Sequence, residues 1–405
     1  MISKKIKKCR VCDDKNLISI KKFPNLGLTG VFLKNRQKPI ITPLEVVFSK
    51  KSSLLQLRHN YNPNILYGNN YGYRSGLNPV MVNHLKYKAD YFSKFLKINR
   101  NTKILDIGSN DATFLKFFNL GVKYGIDPTI IKYKNFYPKK IIKHNSIFDK
   151  AYKKINKNKF NLITAIAMFY DLASPLVFLK KIRKILHKDG IFHIEVAYMP
   201  ELIKNFSYDT FCQEHYEFYS LTSLFYIVEK SNLVIQDFGF NKINGGSIWL
   251  NIANKETTRK INLKKIKKYL KIEAKTGIKK ISTYKKFFFK AFNHAKQLDK
   301  LISRLKKKNK DIAALGASTK GNVLLQLSNL NSQKISCIYD VNKDKFNKFT
   351  PCTNIKILDE NRLRNSKHDY IIILIWHFKS YILNKIKSIN PNIKIIVPFP
   401  KIRIV

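Results

Sequence analysis

At 405 residues the chain is long enough for two or three domains, each with its own core, and an all-in-one fold is not expected. Its 77 Lys+Arg against 26 Asp+Glu give a formal charge of +51, but the lysines are spread along the whole length among abundant asparagine and isoleucine. That pattern reads as a solvated basic surface that helps attract anionic substrates, not as a clustered nucleic-acid footprint. Five cysteines make no disulfide framework, the start MISKKIKKCRVC lacks the apolar stretch of a secretory signal, and the longest apolar run, residues 370–376, is too short to span a bilayer. A soluble cytoplasmic protein with neither nucleic-acid nor membrane partner is expected.

Residues 1–62 open with Cys9 and Cys12 as C-x-x-C, half of a zinc knuckle. Where a second pair is expected the sequence has Ser49 and Ser52, whose neutral hydroxyls do not replace thiolates. Cys9 and Cys12 are therefore the candidate metal ligands, with His59 as a possible third, and a metal-free module with two free thiols is the preferred expectation. The stretch YGNNYGYRSGLNPVMVNHL follows, rich in tyrosine, glycine and asparagine, then a predicted helix through Lys97. Tyr71, Tyr73 and Arg74 beside glycines suit a loop that folds over a polar ligand.

Residues 104–112, ILDIGSNDA, read as a buried strand, a tight polar turn and a helix start. Gly108 lets a ligand approach the backbone, with Ser109 and Asn110 beside it. A second apolar run ends at Asp127, 21 residues after Asp106, where a ribose diol is held in βαβ nucleotide sites. The loop is not G-x-G-x-x-G, and the preceding Asp106 would repel a pyrophosphate. It would attract the amino and sulfonium groups of S-adenosylmethionine (SAM).

Strand patterns near 103–108, 122–127, 139–143, 160–168, 190–197, 233–240 and 247–253 alternate with helices, and the last two are separated only by KINGGS. This predicts a doubly wound, mostly parallel sheet closed by an antiparallel hairpin, the class I methyltransferase architecture. Asp106, Asp127 and the end of the 160–168 strand, at Ala167, should converge at the carboxyl edge. Residues 198–231, dense in aromatics and acids, form an insertion long enough to carry function, and Glu214 and His215 lie within it. Residues 256–310 read as one or two bridging helices, and 312–405 as a smaller Rossmann-like unit whose loop GASTKGN, residues 316–322, sets Lys320 and Asn322 at a helix start suited to phosphate.

These motifs in this order resemble the three-domain SAM-dependent C-methyltransferases of nucleotide-activated deoxysugars, such as the thymidine-diphosphate keto-sugar 3-C-methyltransferases. The resemblance runs nearly end to end: the C-x-x-C, YGYRSGLN at 71–78, DIGSND at 106–111, GIDP at 125–128, AMFYDL at 167–172, YDT and QEHYEFYSL within 208–221, NGGS at 244–247, GASTKGN and WHF at 376–378. It implies an α/β protein with a zinc-knuckle-like module over 1–62, a SAM-binding domain over 63–255, and a helical bridge with a Rossmann-like substrate domain over 256–405. The sugar nucleotide would lie between the last two. It also implies that Glu214 and His215 match the family's catalytic pair. Departures are Ser49 and Ser52, Cys212 in place of a tyrosine, Gln213 where many members have histidine, and FYDL in place of a histidine-bearing motif.

Carbon must be deprotonated before it attacks a methyl group. His215 is the candidate base, Glu214 the group that orients it or stabilises its protonated form, and Tyr73 the donor to the enolate oxygen. Tyr71, Arg74, Lys320 and Asn322 are the candidate substrate contacts. A monomer or weak homo-oligomer is expected. Two rival readings are a methyltransferase of another small molecule or nucleic acid, and a non-catalytic nucleotide-sugar binder.

Overall fold

The computed structural model of the protein describes residues 2–34, 37–68 and 71–405; Asn69 and Asn70 of the tyrosine-rich loop lie outside the described residues. Near the amino terminus three antiparallel strands, β1 (Ile18–Lys22), β2 (Glu45–Ser49) and β3 (Leu54–Leu57), form a small sheet. Helix α1 (Pro79–Phe95) follows, capped by Asn78, whose side chain accepts from the Val80 amide.

The central sheet contains β4 (Lys103–Ile107), β5 (Val122–Ile126), β6 (Ile142–His144), β7 (Phe160–Ile166), β8 (Leu186–Ala197), β9 (Leu233–Asn241) and β10 (Ser247–Asn254), in the spatial order β6-β5-β4-β7-β8-β10-β9. The first five are parallel, and β10 pairs antiparallel with both β8 and β9. Alternation along the strands explains the burial of both faces. Ile104, Leu162 and Ile191 pack with Leu85, Ala89 and Phe92 of α1, while Leu105, Ile163 and Phe192 pack with the helix Pro175–Ile185 on the other side. The third strand lies a little later than the predicted 139–143, because Pro138 sits in the turn that the Ile141 amide closes on the Pro138 carbonyl.

Helix α2 (Ile281–Lys307) leads to a six-stranded sheet of β11 (Ile312–Leu315), β12 (Ile338–Asp340), β13 (Ile357–Asp359), β14 (Tyr370–Ile373), β15 (Lys394–Val397) and β16 (Arg403–Ile404), in the order β13-β12-β11-β14-β15-β16. Helix α3 (Thr319–Leu327) follows β11.

Two features cross the predicted boundaries at 62/63 and 255/256. The short strand Glu217–Phe218, from the insertion after β8, pairs with β3 of the amino-terminal sheet. One apolar core joins Phe23 and Phe48 of the first module, Phe211 of the insertion, Phe288 and Leu298 of α2, and Ile338 and Ile372 of the last sheet. The ring of Phe23 meets Phe288 at 5.6 Å and Phe292 at 5.4 Å. Among the described residues no helix is long and apolar enough to cross a membrane.

Candidate active site

A cavity of about 290 Å³ opens at the carboxyl ends of β4, β5 and β7, and Asp106, Gly108, Ser109, Asn110, Asp127 and Ala167 all lie on its wall. The loop is held in conformations that L side chains seldom adopt, with φ at +48° for Asn110, +62° for Ala112 and +55° for Ala167. Strain of this kind persists where the surrounding structure fixes it, commonly at ligand sites. Ala112 thus occupies a left-handed position where glycine would be unstrained. At Gly108, with φ +79°, a Cβ would stand 3.0 Å from Cγ of Met168, so the glycine keeps the turn open.

The two acids are prepared differently. Asp106 is buried, and its Oδ1 accepts only from the Thr164 hydroxyl, at 2.6 Å. Burial, opposed by that hydrogen bond and reinforced by the charge of Asp127, pushes its carboxyl up to about 7. A cationic ligand would restore its charge. Asp127 accepts from the Asn110 amide at 3.0 Å through Oδ2, and from the Thr129 amide and hydroxyl at 2.6 and 2.5 Å through Oδ1. Oδ2 retains acceptor capacity for a ribose hydroxyl. Together with the open turn at Gly108, these groups fit SAM, which would be held by Asp106 at its cationic end and by Asp127 at its ribose.

The loop at 71–77 is tied down on this cavity. The Ser75 amide donates to Asn110 Oδ1 at 2.9 Å, the Gly76 amide to Asp111 Oδ2 at 3.1 Å, and the Tyr133 hydroxyl to the Tyr73 carbonyl at 2.8 Å. Tyr71 and Tyr73 lie on the cavity wall. Arg74 does not. Its guanidinium pairs with Asp111 at 3.5 Å and lies 4.2 Å over the Phe136 ring, so it clamps the loop to the cofactor turn rather than facing a substrate.

Glu214 and His215 lie in the insertion, off the wall of this cavity. His215 Nδ1 is 2.8 Å from the Thr210 carbonyl, a contact that requires the proton on Nδ1 and leaves Nε2 as the acceptor. Burial, with the Lys320 ammonium adding to it, pulls the imidazole down to about 4, so it is neutral at pH 7. Its ring meets Tyr170 edge-on at 4.6 Å, and the Tyr216 amide donates to the Tyr170 carbonyl at 2.7 Å, which joins this segment to the turn after β7.

Glu214 does not orient His215. Its Oε2 accepts from the Thr29 hydroxyl at 3.2 Å, and a Cβ on Gly30 would stand 2.1 Å from its Oε1, so the carboxylate is turned toward the amino-terminal module. Its pKa is raised, chiefly by burial. The neighbouring Gln213 also reaches that module, donating to the Thr42 hydroxyl at 3.2 Å.

From the other side, Lys320 Nζ donates to the Asn244 carbonyl at 3.0 Å, and Trp376 Nε1 to buried Asp209 at 2.7 Å. NGGS, GASTKGN, WHF and YDT therefore meet around one point although they are scattered over residues 208–378. Asn322 is different. Its amide nitrogen donates to the Thr29 carbonyl at 2.6 Å and joins α3 to the first module, while its buried Oδ1 has no hydrogen-bond partner among the described residues. Tyr61, Tyr67, Asp171 and Tyr216 line the cavity as well, and sequence reasoning did not single them out. Asp171 lies inside the motif at 167–172 and Tyr216 inside QEHYEFYSL; Tyr61 and Tyr67 gave no separate signal.

The knuckle does not fit zinc. Cys9 Sγ lies 3.3 Å from the Ser52 hydroxyl, Cys12 Sγ 3.7 Å from that of Ser49, and Gln56 Nε2 donates to Cys9 Sγ at 3.1 Å. Ser49 in turn donates to Asp14 at 2.7 Å. Hydrogen bonds close what four thiolates would close around a metal. His59 does not complete a set: no group of three or more His, Cys, Asp or Glu suited to a metal occurs among the described residues. Arg10, between the two cysteines, is buried and pairs with Glu217 at 3.4 Å, linking the knuckle to the insertion.

Comparison with known proteins agrees with this arrangement. The family described as "C-methyltransferase C-terminal domain" matches residues 242–400, and that described as "Methyltransferase domain" matches residues 82–237. C-methyltransferase NovU of Streptomyces niveus is 25% identical over 413 residues, covering 100% of this chain and 98% of its own. Among solved structures, a SAM-dependent methyltransferase from Clostridium acetobutylicum is 11% identical, covering 43% of this chain and 92% of its own with a TM-score of 0.33. The plantazolicin methyltransferase BpumL, solved with S-adenosylhomocysteine (SAH), is 14% identical over 43% of this chain and 83% of its own, with a TM-score of 0.34. The paired family matches and the full-length relative lead to one assignment: the chain is a SAM-dependent C-methyltransferase.

Proposed function

We propose that the acceptor is a carbon alpha to the ketone of a nucleotide-linked deoxysugar, with thymidine diphosphate as the nucleotide, and that His215 removes its proton. One observation carries this reading: Nδ1 of His215 is spent on the Thr210 carbonyl, so a neutral imidazole presents Nε2 as a base. SAM supplies an electrophilic methyl group. The C–H electron pair passes into the ketone as an enolate and then forms the new C–C bond, while the proton rests on Nε2. Tyr73, on the cavity wall, is the donor to the enolate oxygen. Asp106, Gly108, Ser109, Asn110, Asp127 and Ala167 hold the cofactor, and Tyr71 contacts the acceptor.

Lys320, whose charge acts on His215 and Asp209, is the cation for the diphosphate. Glu214 serves by fixing the segment that carries His215. The units 1–62, 63–255 and 256–405 serve as anchoring module, cofactor domain and substrate domain of a cytoplasmic enzyme that works as a monomer or weak homo-oligomer.

The test is incubation with SAM and a thymidine-diphosphate 4-keto-deoxysugar, with mass detection of one added methylene on the sugar. His215→Ala should bind SAM normally and transfer no methyl. Near-wild-type turnover in that variant would end the base assignment, and methylation of a different nucleotide's sugar alone would correct the nucleotide.

A further inference from the structure

Asp171 ends the short 3-10 turn Phe169–Asp171 that follows β7, and it lies on the wall of the cofactor cavity. Its Oδ1 is buried without a hydrogen-bond partner among the described residues. The Tyr67 hydroxyl on the same wall lies close enough to lower the Asp171 pKa as a hydrogen-bond donor would, yet it too is buried without a well-formed hydrogen bond among the described residues. An unsatisfied buried polar atom costs stability, so this pair on the cavity wall calls for a polar ligand group.

The backbone fixes where that point is. Tyr170, the preceding residue, accepts from the Tyr216 amide at 2.7 Å and packs its ring on His215 at 4.6 Å. Asp171 thus lies on the cavity wall one residue after the side chain that packs on His215. We propose that Asp171 is a catalytic residue that, beside Tyr73, donates a second hydrogen bond to the acceptor's carbonyl oxygen while the neighbouring C–H is deprotonated. The inference rests on the carbon-acid reading of the reaction.

The proton leaving carbon goes to Nε2 of His215. Asp171 keeps its own proton, shared with the oxygen that becomes negative, and the carbonyl reforms as the C–C bond closes and the S–C pair returns to sulfur. Such a donor must be a neutral acid at working pH. Burial first, then the charge of Glu214, raises the Asp171 pKa well above the usual carboxyl range. Tyr67 and Tyr71 face it from the amino-terminal loop, and Cys212, Glu214, Tyr216 and Glu217 from the insertion. Of the two carboxyl groups, Glu217 is paired with Arg10, which leaves Glu214 as the uncompensated one. A protonated carboxyl beside an oxyanion is a known use of an apolar site.

Two measurements decide it. The first needs no acceptor: an infrared difference spectrum between wild type and Asp171→Asn, both with SAH bound at pH 7, should show the carbonyl band of a carboxylic acid. A carboxylate band alone overturns the proposal. The second uses the thymidine-diphosphate 4-keto-deoxysugar. Asp171→Leu should lose about a hundredfold or more in kcat, with SAM affinity within about twofold of wild type. Asp171→Asn keeps a donor and should retain measurable transfer while losing the alkaline fall that ionisation of Asp171 gives the wild type. Wild-type kcat in the leucine variant, or an unchanged alkaline limb in the asparagine variant, refutes the assignment. If wild type itself leaves this sugar unmethylated, the substrate reading fails and the infrared band alone decides Asp171.

Discussion

Removing the charge of Asp106 should convert a pH-dependent cofactor site into a pH-independent one. Without ligand its carboxyl sits at about 7, raised by burial, against an ordinary value of 3.8. The folded chain therefore holds a proton that the unfolded chain releases, and stability contributed at this position falls as pH rises from about 4 to about 7. Binding SAM, whose sulfonium is cationic at every pH, favours the ionised acid. At pH 6 about one-eleventh of Asp106 is ionised and at pH 8 about ten-elevenths, so SAM affinity should rise about tenfold, or about 1.4 kcal/mol. Asp106→Asn should flatten that rise and, at pH 8, bind SAM at least about tenfold more weakly. Titration calorimetry at pH 6, 7 and 8 in two buffers of different ionisation enthalpy would also count the proton released on binding. A wild-type affinity that does not change with pH, or a slope that survives in Asp106→Asn, refutes the argument.

Gly30→Ala should push the Glu214 carboxylate off its seat, since the added Cβ would lie 2.1 Å from Oε1; methyl transfer should fall at least about tenfold while stability changes by no more than about 1 kcal/mol. A steady-state assay beside a denaturant melt separates the two effects, and unchanged transfer would mean that the position of Glu214 does not matter. Ser49→Cys with Ser52→Cys should create a zinc site where wild type binds none. The present sulfur-to-oxygen contacts of 3.3 and 3.7 Å are close to the ligand spacing of about 3.8 Å that tetrahedral Zn–S bonds of about 2.3 Å require. Elemental analysis after dialysis should give one zinc per chain in the double variant, and zinc retained by wild type would overturn the metal-free reading.

The cofactor half of the site was legible because its determinants are local. Strand, turn and acid fall within residues 104–127, and a parallel strand buried on both faces leaves an apolar run that ends where the ligand sits. Asp106, Gly108, Ser109, Asn110 and Asp127 follow directly from that pattern. The acceptor half is assembled from long-range contacts, and sequence spacing carries no information about which way a side chain turns. Arg74 looked like a ligand contact because it adjoins two tyrosines, but Asp111, 37 positions later, takes its charge. Asn322 was read from its loop, but Thr29, 293 positions earlier, takes its amide. Glu214 and His215 were read as a cooperating pair from adjacency and the family resemblance, whereas neighbouring residues in an extended turn project to different sides: one reaches Thr29 and the other Thr210.

Those same long-range contacts give the knuckle a structural role that hydrogen bonds alone can serve. The insertion after β8 gives a strand to the first sheet through Phe218 and Leu55, an ion pair to Arg10 through Glu217, and a hydrogen bond to the last unit through Asp209 and Trp376. His215 lies within this stretch, so its place relative to the cofactor cavity depends on all three units at once. A zinc ion would stiffen the first module, but what the insertion needs from it is Thr29, Gly30, Arg10 and the edge of β3. These positions survive because the Cys9–Ser52 and Cys12–Ser49 contacts hold the knuckle shut and Gln56, on β3, donates to Cys9. The anchoring surface, held by these hydrogen bonds, is what reaches the site.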